Sequence, residues 1–110
     1  MVASSEEFIV AQDVECPVAR TARLISGKWT LLIVRDLASG AKRFNELERS
    51  LPGISPKTLS ERLRFLEQEG LIIRRPFPEV PPRVEYSLTG KGSALLPIIQ
   101  TMRQFGSSWL

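Results

Sequence analysis

A helical pattern from Phe44 to Leu51 stops at Pro52-Gly53, and a new one starts almost at once at Ser55-Pro56. In the first pattern Phe44, Leu47 and Leu51 recur at helical spacing, and Pro-Gly is a strong turn signal. Serine as N-cap with proline at the first helical position is a favoured helix start. The connection Leu51-Pro52-Gly53-Ile54 therefore joins two short helices into a helix-turn-helix. The second helix is predicted to run to about Glu69 and to end at Gly70. Leu59, Leu63 and Leu66 form its buried stripe. Lys57, Ser60, Glu61, Arg64 and Gln68 lie on the opposite face.

After Gly70 the period changes. Leu71 to Arg75 reads as a strand, and Val84 to Leu88 alternates apolar and polar residues as a half-buried strand should. Between them, Pro76 to Arg83 is half proline. Such a tip is stiff and extended, and it is not expected to continue the strand ladder. A lone hairpin is marginal in water and must pack on helices. Following a helix-turn-helix, it reads as a wing.

Helices are also predicted on either side of this unit. Cys16-Pro17 starts a helix over Val18 to Ile25, with Val18, Ala22 and Ile25 on one face, and Ser26-Gly27 ends it. Lys28 to Ser39 is apolar over most of its circumference, the mark of a central helix packed on several sides. Phe44, Trp29 and Tyr86 read as core. Thr89 caps a last helix reaching toward Trp109, with Leu95, Leu96, Ile98, Ile99, Met102 and Phe105 as its apolar positions. Pro97 should kink or split it. The fold class is mainly α with a small β-hairpin wing, a winged helix-turn-helix. Residues 1–15 are set apart as an acidic arm, and residues 16–110 form the domain.

Composition narrows the function. The 110 residues make one domain. There is no histidine, so a Ser-His-Asp triad, a Cys-His pair and a His-ligated metal are all impossible. Cys16 is the sole cysteine, so neither an intrachain disulfide nor a thiolate zinc site can form within one chain. No phosphate-binding GxxxxGK[ST] loop occurs, and Gly90-Lys91-Gly92 lacks the spacing of a dinucleotide fingerprint. No catalysis, metal or cofactor is expected. No apolar run exceeds four residues, far short of a membrane span. The opening residues carry no basic cluster of a signal peptide, so the expected location is the cytoplasm. Charge is uneven. Residues 1–15 sum to −4, while the other 95 carry 15 basic and 8 acidic side chains, net +7. A basic body suggests a polyanionic partner, nucleic acid first.

Three segments carry a family resemblance. These are Gly27-Lys28-Trp29, the Leu59/Leu63/Leu66 helix closing with Glu69-Gly70-Leu71-Ile72, and Pro81-Pro82-Arg83-Val84-Glu85-Tyr86. In this order and spacing, over roughly Cys16 to Trp109, they resemble the HxlR-type transcriptional regulators, a branch of the MarR-like winged-helix proteins. The resemblance implies a homodimer on double-stranded DNA, joined through the N- and C-terminal helices. Two features depart from the pattern. Phe65 stands on a flank where a charged residue is usual, and the chain ends soon after Trp109.

Candidate site residues follow from both readings. Ser55, Lys57, Thr58, Ser60, Glu61 and Arg64 belong to the helix that would enter the major groove, its N-terminal part meeting base edges. Lys42 and Arg43 precede the third helix, as a phosphate clamp or as a solvent-facing pair. Arg83 on the wing has two readings, a minor-groove contact or a salt bridge with Glu79 or Glu85. Arg62 could pair within its own helix, with Glu61 or Glu69. Cys16 stands at a helix start with Arg20 one turn on. In the resembled family a cysteine at this Cys-Pro position is in some members a redox or electrophile sensor; a buried structural thiol is the alternative. A small-molecule or oxidant effector is expected on the sensor reading. The rival to DNA binding is a winged helix used only for protein contact.

Overall fold

The computed structural model describes residues 16–110. The expected acidic arm, residues 1–15, lies outside them. The elements run α1 (Pro17–Leu24), α2 (Lys28–Leu37), β1 (Lys42–Arg43), α3 (Phe44–Ser50), α4 (Pro56–Gln68), β2 (Ile72–Phe77), β3 (Arg83–Leu88), α5 (Gly90–Ser93) and α6 (Leu96–Trp109). The sheet is antiparallel with order β1-β3-β2.

One core binds these elements together. Helix α2 contributes Ile33, Val34 and Leu37, and α3 with its following turn contributes Leu47, Leu51 and Ile54. Helix α4 adds Leu59, Leu63 and Leu66. Leu71, Ile72 and Leu95 close the far side. Fully burying each such side chain stabilises by roughly 1.5–3 kcal/mol. Thr30 is the polar exception, fully buried on α2 with its hydroxyl unpartnered.

The turn between α3 and α4 is built as its residues demand. The Ile54 amide donates to the Leu51 carbonyl at 3.1 Å, and Gly53 has φ 91°. Pro52 at the second position and a left-handed glycine at the third are what a type II turn requires. Helix α4 then starts on Ser55, whose Oγ accepts from the Thr58 amide at 3.1 Å. Its end is closed by the Leu71 amide on the Leu66 carbonyl and the Gly70 amide on the Glu67 carbonyl, a Schellman motif. The short α5 then clasps this end from the other side. Lys91 Nζ donates to the Glu69 carbonyl at 2.7 Å and Thr89 Oγ1 to the Gly70 carbonyl at 2.6 Å. Here the backbones come so close that a Cβ on Gly92 would stand 2.1 Å from the Leu71 oxygen.

Two details differ from the sequence expectation. The wing is the outer part of a three-stranded sheet, because Lys42 and Arg43 pair with Tyr86 and Glu85 as β1. Two residues are too few to show any periodicity. The ladder also continues into the proline segment, with Pro76 opposite Val84 and Phe77 opposite Arg83. It can do so because β2 is an edge strand, where a proline need not break the ladder. The last helix is split, as Pro97 predicts, and the break falls at Ala94-Leu95 with Pro97 in the first turn of α6.

Candidate nucleic-acid interface

Helix α4 presents two unlike faces. At 100° per residue, Leu59, Leu63 and Leu66 share the buried side, while Lys57, Glu61, Arg64 and Gln68 mark the middle of the exposed side. Ser60 is exposed on one shoulder. Thr58 is half-buried on the other, and its Oγ1 accepts from Ser55 Oγ at 3.0 Å. Ser55 and Thr58 therefore hold the start of the helix, whereas Lys57, Ser60, Glu61 and Arg64 point their chemistry outward. Arg62 pairs with neither Glu61 nor Glu69. Its guanidinium lies 5.0 Å from the centre of the Phe65 ring, a cation–π contact on the flank. This accounts for an aromatic at that position, since Phe65 also packs against the core.

The residues before α3 are partly committed to structure. Lys42 Nζ donates to Ser39 Oγ at 3.0 Å, and the Arg43 amide donates to Glu46 Oε1 at 2.7 Å, capping α3. The Arg43 side chain is exposed.

Arg83 is held on three sides. Its Nη1 lies 2.8 Å from Glu79 Oε2, its Nε 3.1 Å from Glu85 Oε2, and its guanidinium 4.0 Å from the centre of the Phe77 ring. The Nε contact is an ion pair without hydrogen-bond alignment. Of the two readings for Arg83, the free protein displays the salt bridge, and with both carboxylates rather than one. The sequence reading did not single out Arg74 and Arg75. Both are exposed on β2, and neither makes an ion pair among the described residues. Two adjacent arginines in a strand place one on each face of the wing. That alternation was available in the sequence once the strand was assigned.

The flanks of the domain are apolar and uncovered. No residue of α1 is buried, and Val18 is 76% exposed. No residue of α6 is buried either, and Met102, Phe105 and Trp109 are 50%, 57% and 76% exposed. Along α6, Met102 and Phe105 border an open groove of about 780 Å³ with Ile98, Thr101 and Leu110 in its wall. Cys16 caps α1 without a side-chain cap bond, and is a half-buried free thiol.

A helix-turn-helix carrying a two-stranded wing, with this exposed face, matches a known family. The profile of HxlR-like helix-turn-helix proteins fits residues 24–110. The chain belongs to the HxlR-like family. An uncharacterized HTH-type transcriptional regulator of Synechocystis sp. is 46% identical over 95 residues, covering 86% of this chain and 70% of that protein. A transcriptional regulator of the MarR family from Porphyromonas gingivalis has a crystal structure with TM-score 0.84 at 49% identity, covering 87% of this chain and 94% of that one. The redox regulator HypR in its reduced form gives TM-score 0.81 at 42% identity over 84% of this chain and 92% of that one. This HxlR-like chain is a transcriptional regulator of the helix-turn-helix type with a winged-helix fold. Its relatives are regulators, not enzymes. Among the described residues no helix is long and apolar enough to cross a membrane.

Proposed function

We propose that two copies of this chain, joined through α1 and α6, bind a pseudo-palindromic operator on double-stranded DNA in the cytoplasm. The observation that carries the reading is the outer face of α4, where Lys57, Ser60, Glu61 and Arg64 are all exposed on a helix whose other side is the core. A helix about 10–12 Å wide fits the major groove. Arg64 suits a guanine edge and Glu61 a cytosine amine. Ser55 and Thr58 fix the helix start beside the backbone. Lys42 and Arg43 approach phosphate at the start of α3, the wing arginines Arg74 and Arg75 approach the flanking backbone or the minor groove, and Arg83, paired with Glu79 and Glu85, braces the wing.

Homodimerisation rests on the uncovered apolar surfaces of α1 and α6. Two recognition helices related by a two-fold axis read half-sites about one helical turn, ~34 Å, apart or a multiple of it. A footprint on DNA upstream of a regulated gene tests this. Protection of two symmetric half-sites is expected, and full affinity for one isolated half-site overturns it. A winged helix used only for protein contact would instead show no salt-sensitive retention on DNA.

Cys16 adds a regulatory reading, supported by its place as N-cap of α1 and by the likeness to HypR. With one cysteine per chain, oxidation gives a mixed disulfide with a small thiol or a bridge between the two subunits. The bridge needs Cα atoms within about 7 Å across the axis. Either product would press on α1 and shift the spacing of the two α4 helices. Titrating DNA affinity with diamide is the test, and equal responses from wild type and Cys16→Ser refute the sensor.

A further inference from the structure

Asp36 stands where local physics disfavours it. It is the second-to-last residue of α2, and a carboxylate there faces the negative end of the helix dipole. Its side chain is nevertheless only 13% exposed. A carboxylate so far withdrawn from water requires partners, and each of its oxygens has one. Oδ1 accepts from Arg35 Nε at 2.9 Å, and Oδ2 accepts from Ser50 Oγ at 2.5 Å. A residue that breaks a local rule and is compensated from elsewhere in the fold marks a position with a role.

Ser50 is the last residue of α3, immediately before the turn that leads into α4. Its hydroxyl has one proton to donate. The Leu47 carbonyl is 3.2 Å away, so the proton goes to the nearer and charged acceptor, Asp36. Helix α3 depends on this bond more than a longer helix would. It has seven residues, of which Leu47 alone is buried. Apolar burial has no direction, so it leaves a two-turn helix seated on one leucine free to roll. The buried Leu51 that follows adds apolar contact but likewise no direction. Polar ties at the two ends of α3 stop the roll. At its start, β1 pairs Lys42 with Tyr86 and Arg43 with Glu85, and the Arg43 amide is held by Glu46. At its end, the tie is Ser50 to Asp36.

We infer that Asp36 is a positioning residue for DNA reading: through Ser50 it locks the end of α3 to α2 and so sets the angle at which α4 is presented. The inference rests on the function proposed above. Helix α6 packs on α2. In a dimer joined through α1 and α6, α2 therefore belongs to the frame that the two copies share, and α3 and α4 are carried on that frame. The Asp36–Ser50 bond is the directional joint between the two. Both α4 helices must meet their half-sites at once. Loss of the joint therefore changes the half-site spacing that the pair accepts, not the contacts that one α4 makes.

The experiment compares wild type with Ser50→Ala, Ser50→Thr and Asp36→Ala as full-length proteins. Ser50 is exposed, so its alanine variant loses the bond without opening the core. Without DNA, amide hydrogen exchange at Ser50 and Ile54 should speed up about tenfold in Ser50→Ala, the worth of a hydrogen bond to a charged group. It should stay near wild type in Ser50→Thr, which keeps the hydroxyl. Equal exchange in wild type and Ser50→Ala overturns the joint. On DNA, lengthening or shortening the operator's spacer by one base pair turns one half-site by about 35° against the other. Wild type should prefer the native spacer about tenfold or more, and Ser50→Thr should keep that preference. Ser50→Ala and Asp36→Ala should lose most of it. An equal loss of affinity at every spacer, with the preference intact, makes the bond a stability contact and overturns the inference. So does a Ser50→Thr variant that behaves like Ser50→Ala. No DNA binding by any form, wild type included, refutes the function proposed above and the role in spacing with it, while the exchange result still decides the joint.

Discussion

Helices α4 and α6 are nearly equal in length, 13 and 14 residues, yet they end in opposite situations. Helix α4 is mostly polar, and each of its three core leucines is fully enclosed. Helix α6 is the more apolar of the two and has no buried residue. A polar helix with one narrow apolar stripe can satisfy that stripe inside its own chain, which frees the other face for a ligand. A helix with large apolar residues on a second face cannot, because among the described residues no further element lies against it. The first arrangement suits the proposed DNA-reading face, and the second suits the proposed contact with a partner copy. Exposed apolar patches of this kind mark interaction sites.

The sharpest break between the two helices is in stability. Leu59→Ala in α4 should cost 2–5 kcal/mol, because it removes a fully buried side chain from a packed core, on the order of other large-to-small core changes. Phe105→Ala in α6 should change the stability of the single chain by less than about 0.5 kcal/mol. It should instead lower the mass in sedimentation toward that of one chain. Urea unfolding at low protein concentration, with sedimentation beside it, reads both. Similar unfolding costs for the two variants would mean that α6 is packed within the chain after all.

Glycine substitutions repeat the contrast on a smaller scale. Gly92→Ala drives a Cβ to 2.1 Å from the backbone oxygen of Leu71. Neither backbone can yield without disturbing the clasp on the end of α4, and a loss of about 1–3 kcal/mol is expected. Gly106→Ala meets nothing within 4 Å in the single chain. It should stabilise that chain by roughly 0.5–1 kcal/mol, since glycine is a poor helix former. Thermal unfolding of the two variants should therefore move in opposite directions.

Much of this was readable in advance, and the gaps have physical causes. The turn at Pro52-Gly53, the cap at Ser55 and the Leu59/Leu63/Leu66 stripe are local signals, each set by a few neighbouring residues. They appear in the structure where the residues put them. The strand at Lys42–Arg43 was not readable, because its existence depends on β3, more than 40 positions away. The Asp36–Ser50 bond links residues 14 apart in sequence, and nothing local announces it. Arg83 shows a different limit. Its spacing to Glu79 and Glu85 left two readings open, and only the geometry of the turn between β2 and β3 brings both carboxylates to the guanidinium at once.

On the reading surface itself, Arg64→Ala should weaken operator binding by about 1–3 kcal/mol if Arg64 makes a bidentate base contact. Fluorescence anisotropy against operator and scrambled DNA separates specificity from bulk affinity. A variant that loses affinity equally on both sequences places Arg64 on phosphate, and one that loses nothing removes α4 from the interface.

The smallest expected effect discriminates between two kinds of arginine in the wing. Arg75 is exposed and makes no ion pair among the described residues, while Arg83 is gripped by Glu79, Glu85 and the Phe77 ring. A cation that neutralises a phosphate releases counterions, and each such contact adds about 0.9 to the slope of log affinity against log salt. Arg75→Ala should therefore flatten that slope by nearly one unit. Arg83 is already compensated by two carboxylates, so it has little charge to offer while those pairs hold. Arg83→Ala should leave the slope unchanged and lower affinity through a looser wing. The reverse pattern, with the slope falling for Arg83→Ala and unchanged for Arg75→Ala, would show that Arg83 trades its carboxylates for phosphate on DNA. The pairs with Glu79 and Glu85 would then be the resting position of a contact residue rather than a brace.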